Sequence, residues 1–467
     1  MGAYSYIDRH ILLPMADLIT SRGVSKEWKL MQKAERYSEK ELYDLQSERL
    51  RALVRHCYDH VPYYRNLFDQ LLLKPEDIKT RDDLRKLPVL TKQMVRDHYD
   101  ELIADNAAEL KSMDGSTGGS TGTPLKYKKD VQTWNMAWAS SFRAWDWYGY
   151  HLGEKLFTLG GNSLVKKTKG VSAKDIFDNV IMRNMKRSSG DVTDEAMQKH
   201  YEAYMQYKPK AMRGYASSMV IFARYIEKNH LPVVPLKVIL TTGEILMPEY
   251  RRTLERIFRC KVFDEYGAGD GGVDAHECLL QDGLHISEER CVVEITDKEG
   301  NVLPDGETGY VCATDLGNYA FPFLRYHVGD MAYIKPEKCT CGRVSRVLGQ
   351  VMGRTGKLLY NKQGVPISPT MLPFMLYPNK DYHNPASIVV YNKIDRYQFR
   401  QDKNGDIKVL LKLKDSHEDH GQFSYVIGNC QDHFVDSKIS LEFVGEIPAL
   451  PSGKEDYCVS EYEYKAQ

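Results

Sequence analysis

Residues Asp114 to Tyr127 read DGSTGGSTGTPLKY, with four glycines, three threonines and two serines. Glycine is costly to order and leaves no side chain to pack. A cluster this dense serves either a flexible surface loop or a backbone that must approach an anion closely. Hydroxyls and glycine amides together make a multi-donor cradle for phosphate oxygens. Two standard phosphate motifs are excluded. No Lys-Ser or Lys-Thr follows Gly122, as a P-loop requires, and Pro124 stands where a dinucleotide fingerprint would open its helix.

Four further segments carry chemistry in the same order of sense. In DEYGAGDGG, Asp270 follows a strand-like run, where a carboxylate can hold Mg²⁺ bridging phosphates. In LRYHVGDMAYI, Asp330 sits on a turn between apolar runs, able to accept hydrogen bonds from two ribose hydroxyls. GRTGK at Gly353–Lys357 marks a junction, and LPSGKEDY places Lys454 on a glycine turn, within reach of a negatively charged intermediate. Singly, each is a turn with a solvated charge. Together they describe a nucleotide site.

A second constellation is sulfur-rich. EKCTCGRV gives Cys339-x-Cys341 before a glycine, a tight turn that can aim two thiolates at one point, and AHECLLQDGLHI adds Cys278 with His276 and His285 in range. Four such N/S ligands satisfy a tetrahedral structural zinc; reduced, unliganded thiols are the alternative. Cys260 and Cys312, in apolar runs, read as core.

These groups must be positioned by a sizeable scaffold. The chain has 467 residues, 42% hydrophobic and 27% charged, which fits two to three soluble domains. Lys plus Arg and Asp plus Glu number 64 each, so no global field draws in nucleic acid. No stretch approaches the ~18 apolar residues of a membrane span. The start, MGAYSYIDRHILLPMADLI, puts Asp8, Arg9 and His10 where a signal peptide needs its apolar centre, and Tyr6 where myristoylation wants a hydroxyl. It reads as an ordinary packed helix, with weak membrane contact left open. Nine cysteines, an odd number without an export signal, predict reduced thiols and a cytoplasmic location.

Residues 25 to 110 read as mainly helical, with a capping pattern at Ser38 to Glu41. Trp134, Trp138, Phe142 and Trp145 recur at helical spacing and form one aromatic face, read as core. From about 210 onward, short β-branched runs alternate with helical patterns, which predicts an α/β protein with a parallel sheet. Ligands then sit beyond the carboxyl ends of the strands, where Gly243-Glu244 and the loop from Tyr266 to Gly272 fall. A boundary near Gly353 leaves a small α+β domain: 1–352 and 353–467.

The whole pattern resembles the adenylate-forming ligases, and among them phenylacetate–CoA ligase and its relatives of capsular polysaccharide biosynthesis. HVPYYRNLF at His60–Phe68 and LPVLTKQMVR at Leu87–Arg96 begin the likeness, which covers nearly the whole chain. Thr117 to Pro124 matches the family's phosphate loop. Tyr266-Gly267-Ala268-Gly269-Asp270 matches its Tyr-Gly-x-Thr-Glu segment, Asp330 its ribose-binding Asp and Lys454 its catalytic lysine. The departures are Gly118 for a frequent Ser, Leu125 for Lys, Gly269 for Thr (losing a hydroxyl that would meet the nucleotide), Asp270 for Glu, and a hinge without its Asp.

The resemblance implies a large α/β domain with mixed sheets and a mobile small domain. It implies ATP held by Ser116, Thr117, Gly118, Gly119, Ser120, Thr121, Gly122, Gly243, Glu244, Glu265, Tyr266, Gly267, Asp330 and Arg354, with Asp270 on Mg²⁺ and Lys454 catalytic. A carboxylic acid would be activated as acyl-adenylate and passed to CoA. A sugar, amine or carrier-protein acceptor, and a homologue that binds nucleotide without turnover, are the alternatives; a homodimer is left open. Relatives with zinc favour Cys278, Cys339 and Cys341 with His285 rather than His276.

Overall fold

The computed structural model describes residues 2–116, 125–160, 177–188, 194–354, 359–362, 366–367, 372–380, 384–447 and 456–462. It divides into two compact units, one of residues 1–243 and 253–351, the other of 244–252 and 352–467.

The first unit opens with consecutive helical segments from Ala3 to Thr20, a π-turn occupying Asp8–Leu12. The expected packed helix holds on one face only. Asp8, Leu13 and Asp17 point inward, whereas Leu18 and Ile19 are 82% and 78% exposed. The helix Glu39–His60 starts where Ser38 and Glu41 reciprocate. Glu41 N donates to Ser38 Oγ at 3.3 Å and Ser38 N to Glu41 Oε2 at 2.8 Å, which satisfies two of the helix's orphan donors. Its apolar face, Leu50, Leu53, Val54 and Cys57, is fully buried, each large aliphatic contributing about 1.5–3 kcal/mol. The aromatic helix Val131–Trp147 buries Phe142 and Trp145, with Trp134 and Trp138 packed against the same cluster, as the spacing predicted.

Strand β1 (Met113–Ser116) pairs antiparallel with β2 (Lys126–Lys129), so the glycine-rich segment joins two hydrogen-bonded strands. A larger sheet is mixed. β3 (Leu156–Gly160), β4 (Asn184–Ser188), β5 (Ala211–Gly214), β6 (Val238–Thr242) and the first part of β7 (Lys261–Ala268) run parallel in the order β4-β3-β5-β6-β7. Beyond β7 the sheet continues antiparallel through β8 (Val273–Glu277), β9 (Leu284–Ile286) and β13 (Val347–Leu348). The alternation of strand and helix announced the parallel half. The antiparallel half follows from the tight Gly271-Gly272 turn between β7 and β8, where no crossover helix fits. Gly272 has φ +69°, and a Cβ there would lie 2.2 Å from Asp315 Cγ, so only glycine closes this turn. A further antiparallel set joins β10 (Cys291–Thr296), β11 (Gly309–Asp315) and β12 (Tyr326–Ala332).

The second unit has its own core, including Phe399, Val409, Leu411, Phe423 and Phe434, all fully buried. Its four strands lie in the order Ile439–Phe443, Ile407–Leu413, Ile394–Gln401, Cys458–Ser460. Residues 244–252 belong here through side chains. Arg252 Nη2 donates to Tyr377 Oη at 3.2 Å, Tyr397 Oη to Glu249 at 3.3 Å, and Tyr457 Oη to Tyr250 Oη at 3.0 Å.

Candidate functional site

The end of β7 and the strand β12 are tied by two tyrosine–carboxylate bonds that run in opposite directions. Tyr266, on β7, donates to Asp330 Oδ2 on β12 at 2.8 Å, and Tyr326, on β12, donates to Asp270 Oδ2 just past β7 at 2.9 Å. The two carboxylates singled out for metal and ribose are thereby oriented by one reciprocal clasp. Asp270 is buried and Asp330 half-buried. A buried carboxylate demands partners, and a neutral phenol satisfies one oxygen without neutralising the charge.

The strand β2 approaches the same loop. Tyr127 Oη donates to Gly269 O at 2.9 Å, and the Lys129 ammonium lies 5.0 Å from the centroid of the Tyr127 ring. Asp130 then caps the aromatic helix, accepting from Thr133 N at 2.9 Å and Tyr319 N at 2.7 Å. Burial pushes its carboxyl up to about 6 despite those bonds.

The Glu265 side chain is bound within the protein. Its Oε1 accepts from Trp145 Nε1 at 2.6 Å and its Oε2 from Arg213 Nε at 2.8 Å. Burial alone would raise its carboxyl, but Arg213, His276 and the Trp145 bond outweigh it and hold the group low. Its side chain thus anchors β7 to β5 and to the aromatic helix. Gly267 lies within β7 opposite Asp274, and Gly243 follows β6 with φ +74°. Ser116 ends β1 opposite Lys126. Glu244 and Arg354 belong to the second unit. Thr117, Gly118, Gly119, Ser120, Thr121, Gly122 and Lys454 lie outside the described residues, as does Gly356 of the expected hinge. Sequence reasoning passed over Tyr326 and Arg213. Arg213 sits one residue before Gly214 at the carboxyl end of a parallel strand, a position that could have flagged it.

The sulfur cluster is compact. The ligand atoms of Cys278, His285, Cys339 and Cys341 all lie within 4.8 Å of one another. Cys278 Sγ is 3.7 Å from Cys339 Sγ, and Cys341 Sγ is 3.3 Å from His285 Nε2. The first distance is far too long for a disulfide but close to the ~3.8 Å edge of a tetrahedron with ~2.3 Å metal–sulfur bonds. His285 Nδ1 is held by Ser345 Oγ at 3.0 Å, which turns Nε2 toward the thiols. Burial, with Arg343 and Arg143 nearby, pushes this imidazole down to about 4, so it is neutral and ready to ligate at neutral pH. Burial also pushes the Cys278 thiol up to about 12, while hydrogen bonds from Arg343 and the neighbouring cysteines draw Cys341 down against burial. His276 is elsewhere engaged, with Nε2 3.2 Å from Ser140 Oγ and 3.5 Å from Asp274 Oδ1.

No family model matches the chain. Among curated proteins it is 29% identical over 398 residues to phenylacetate–coenzyme A ligase of Pseudomonas putida, covering 82% of this chain and 85% of that protein. The likeness to the Escherichia coli K12 enzyme of the same name is 27% over 391 residues, with 80% and 83% covered. The chain is similar to phenylacetate–coenzyme A ligases over most of its length. Among solved structures, the chain superposes on 2-hydroxyisobutyryl-CoA ligase in its postadenylation state with 2-HIB-AMP at TM-score 0.70 and 17% identity, covering 90% and 89% of the two chains. It superposes on the anthranilate CoA ligase AuaEII with anthranoyl-AMP at 0.51 and 12%, covering 73% and 65%. At these identities the structures speak for the fold, which is that of the adenylate-forming CoA ligases.

Proposed function

We propose that this protein activates a carboxylic acid with ATP as acyl-adenylate and passes the acyl group to coenzyme A. The observation that carries the reading is the reciprocal clasp, which holds Asp330 for ribose and Asp270 for a cation in a chain similar to phenylacetate–coenzyme A ligases. In the first step the acid's carboxylate attacks the α-phosphorus and pyrophosphate leaves. Positioning and charge stabilisation supply most of the acceleration in such a transfer. Asp270 fits a Mg²⁺ ligand: Tyr326 takes Oδ2, and Oδ1 has no hydrogen-bond partner among the described residues. One carboxylate with phosphates and waters is an ordinary Mg²⁺ environment, and the ion would offset charge on the leaving pyrophosphate. Lys454 would meet the negative charge that builds between acid and α-phosphate. The Cys₃His cluster fits a structural zinc whose four protein ligands leave no open position for catalysis.

Nine unbridged cysteines support a reducing, cytoplasmic setting, and no described helix is long and apolar enough to cross a membrane. A panel of carboxylic acids screened by ATP–pyrophosphate exchange, with and without CoA, tests the reading. Exchange dependent on one acid, and acyl-CoA formed only when CoA is present, is the expected result. Exchange without acyl-CoA would move the acceptor to a sugar, amine or carrier protein; absence of exchange over the whole panel would leave a nucleotide-binding homologue.

A narrower prediction concerns Asp330. Asp330→Ala removes the carboxylate assigned to both ribose hydroxyls, and hydrogen bonds to a charged group contribute about 1.5–3 kcal/mol. Calorimetry should show ATP affinity falling by roughly 10- to 100-fold. Unchanged affinity would remove Asp330 from the site.

A further inference from the structure

Lys129 ends β2, two residues after Tyr127 and therefore on the same face of the strand. Tyr127 fastens β2 to the Asp270 loop by its bond to Gly269 O, and Asp130 fastens the other side by capping the aromatic helix. The lysine's backbone is thus held on both sides. Its ammonium reaches a position in the loop that lacks a side chain: a Cβ built on Gly269 would lie 3.2 Å from Lys129 Nζ and 3.5 Å from Tyr127 Oη.

Among the described residues that ammonium has no hydrogen bond and no ion pair, only the Tyr127 ring beneath it. Two of the nearby charged groups have other partners. Arg290 is ion-paired with Asp274, and Asp315 Oδ1 accepts from Gly317 N at 2.9 Å. Burial and Arg290 act to lower the Lys129 pKa, with Asp315 and Asp270 opposing them. A half-buried lysine whose ammonium makes no ion pair among the described residues is uncommon, since lysines are mostly exposed or paired. It fits a site whose anion arrives with a ligand.

We propose that Lys129 is a further substrate-contacting cation, whose ammonium binds a phosphate oxygen of the nucleotide in the space left open at Gly269. This rests on the adenylation reading above and extends it. A hydroxyl at 269 would donate one neutral hydrogen bond, whereas an ammonium donates a charge-assisted one to the same oxygen. The chain thereby trades a side chain on the loop for a longer one on the neighbouring strand.

The test separates phosphate from nucleoside. AMP and adenosine are titrated calorimetrically into the wild type, Lys129→Met and Lys129→Arg. Met preserves the packed stem without the charge, and thermal unfolding checks that each variant is folded. AMP affinity should fall by about 10-fold or more in Lys129→Met, consistent with loss of a charged hydrogen bond. Adenosine affinity should not move, and Lys129→Arg should keep most of the AMP affinity. Adding Gly269→Thr to Lys129→Met should recover part of it, because the tightest neighbour of a new Cβ is then gone. AMP affinity unchanged in Lys129→Met, or AMP and adenosine weakened equally, overturns the proposal while leaving adenylation intact. A double variant no better than Lys129→Met overturns the claim that the ammonium replaces the missing side chain. A wild type that binds neither AMP nor ATP overturns the adenylation reading itself.

Discussion

Replacement of Lys454 by alanine is expected to lower ATP–pyrophosphate exchange by about 10³-fold while leaving ATP affinity and thermal stability close to wild type. Lys454 follows Pro-Ser-Gly in the sequence, and the resemblance to the adenylate-forming ligases implies the catalytic lysine at this position. A group that meets charge only as it develops contributes to kcat and little to ground-state binding. The separation is therefore diagnostic. Loss of exchange with retained ATP binding supports a catalytic lysine. Exchange near the wild-type rate removes the assignment, and a parallel loss of ATP affinity would make Lys454 a binding residue. Lys454→Arg should not restore the rate, because a planar guanidinium places its charge differently from a compact ammonium.

The second large effect is expected at the sulfur cluster. Protein purified without added metal should carry about one zinc per chain by elemental analysis, and Cys339→Ser with Cys341→Ser should carry none. Two of four ligands come from one short turn, Cys339 to Gly342, while Cys278 and His285 come from the end of β8 and from β9. A metal there stitches a loop to the antiparallel edge of the large sheet, and its binding free energy adds to folding. The double variant should unfold at a clearly lower temperature, with a loss of several kcal/mol. A chelator should reproduce the shift in the wild type and leave the variant unmoved. Protein free of zinc, or a variant as stable as wild type, would return the cysteines to the status of reduced thiols.

Much of this was legible because it is local. The capping box at Ser38, the helix carrying four aromatic residues, the strand–helix–strand rhythm and the glycine-dense segment each depend on residues a few positions apart. Propensity, periodicity and turn chemistry act over that range. Ligand types at the sulfur cluster were legible for the same reason. Which histidine joins them was not decided by the residues. His276 and His285 are direct cross-strand partners on β8 and β9. Only the position of β9 next to β13, which follows the cysteine turn, brings His285 to the thiols.

The tertiary structure alone decided the remainder. Tyr266 meets Asp330 across 64 residues and Tyr326 meets Asp270 across 56. Such pairs depend on strand register, where a slip of one residue turns every side chain to the other face. Nothing local in the sequence pairs Glu265 with a partner, yet the fold spends both its side-chain oxygens on Trp145 and Arg213. The segment 244–252 follows β6 in sequence but sides with the second unit through Glu249, Tyr250 and Arg252. The sequence by itself determined which chemical groups this protein owns and which short elements carry them. Their pairing was set by long-range packing, because burial favours arrangements in which enclosed polar groups find partners, as Glu265 does in Trp145 and Arg213 and Asp270 in Tyr326.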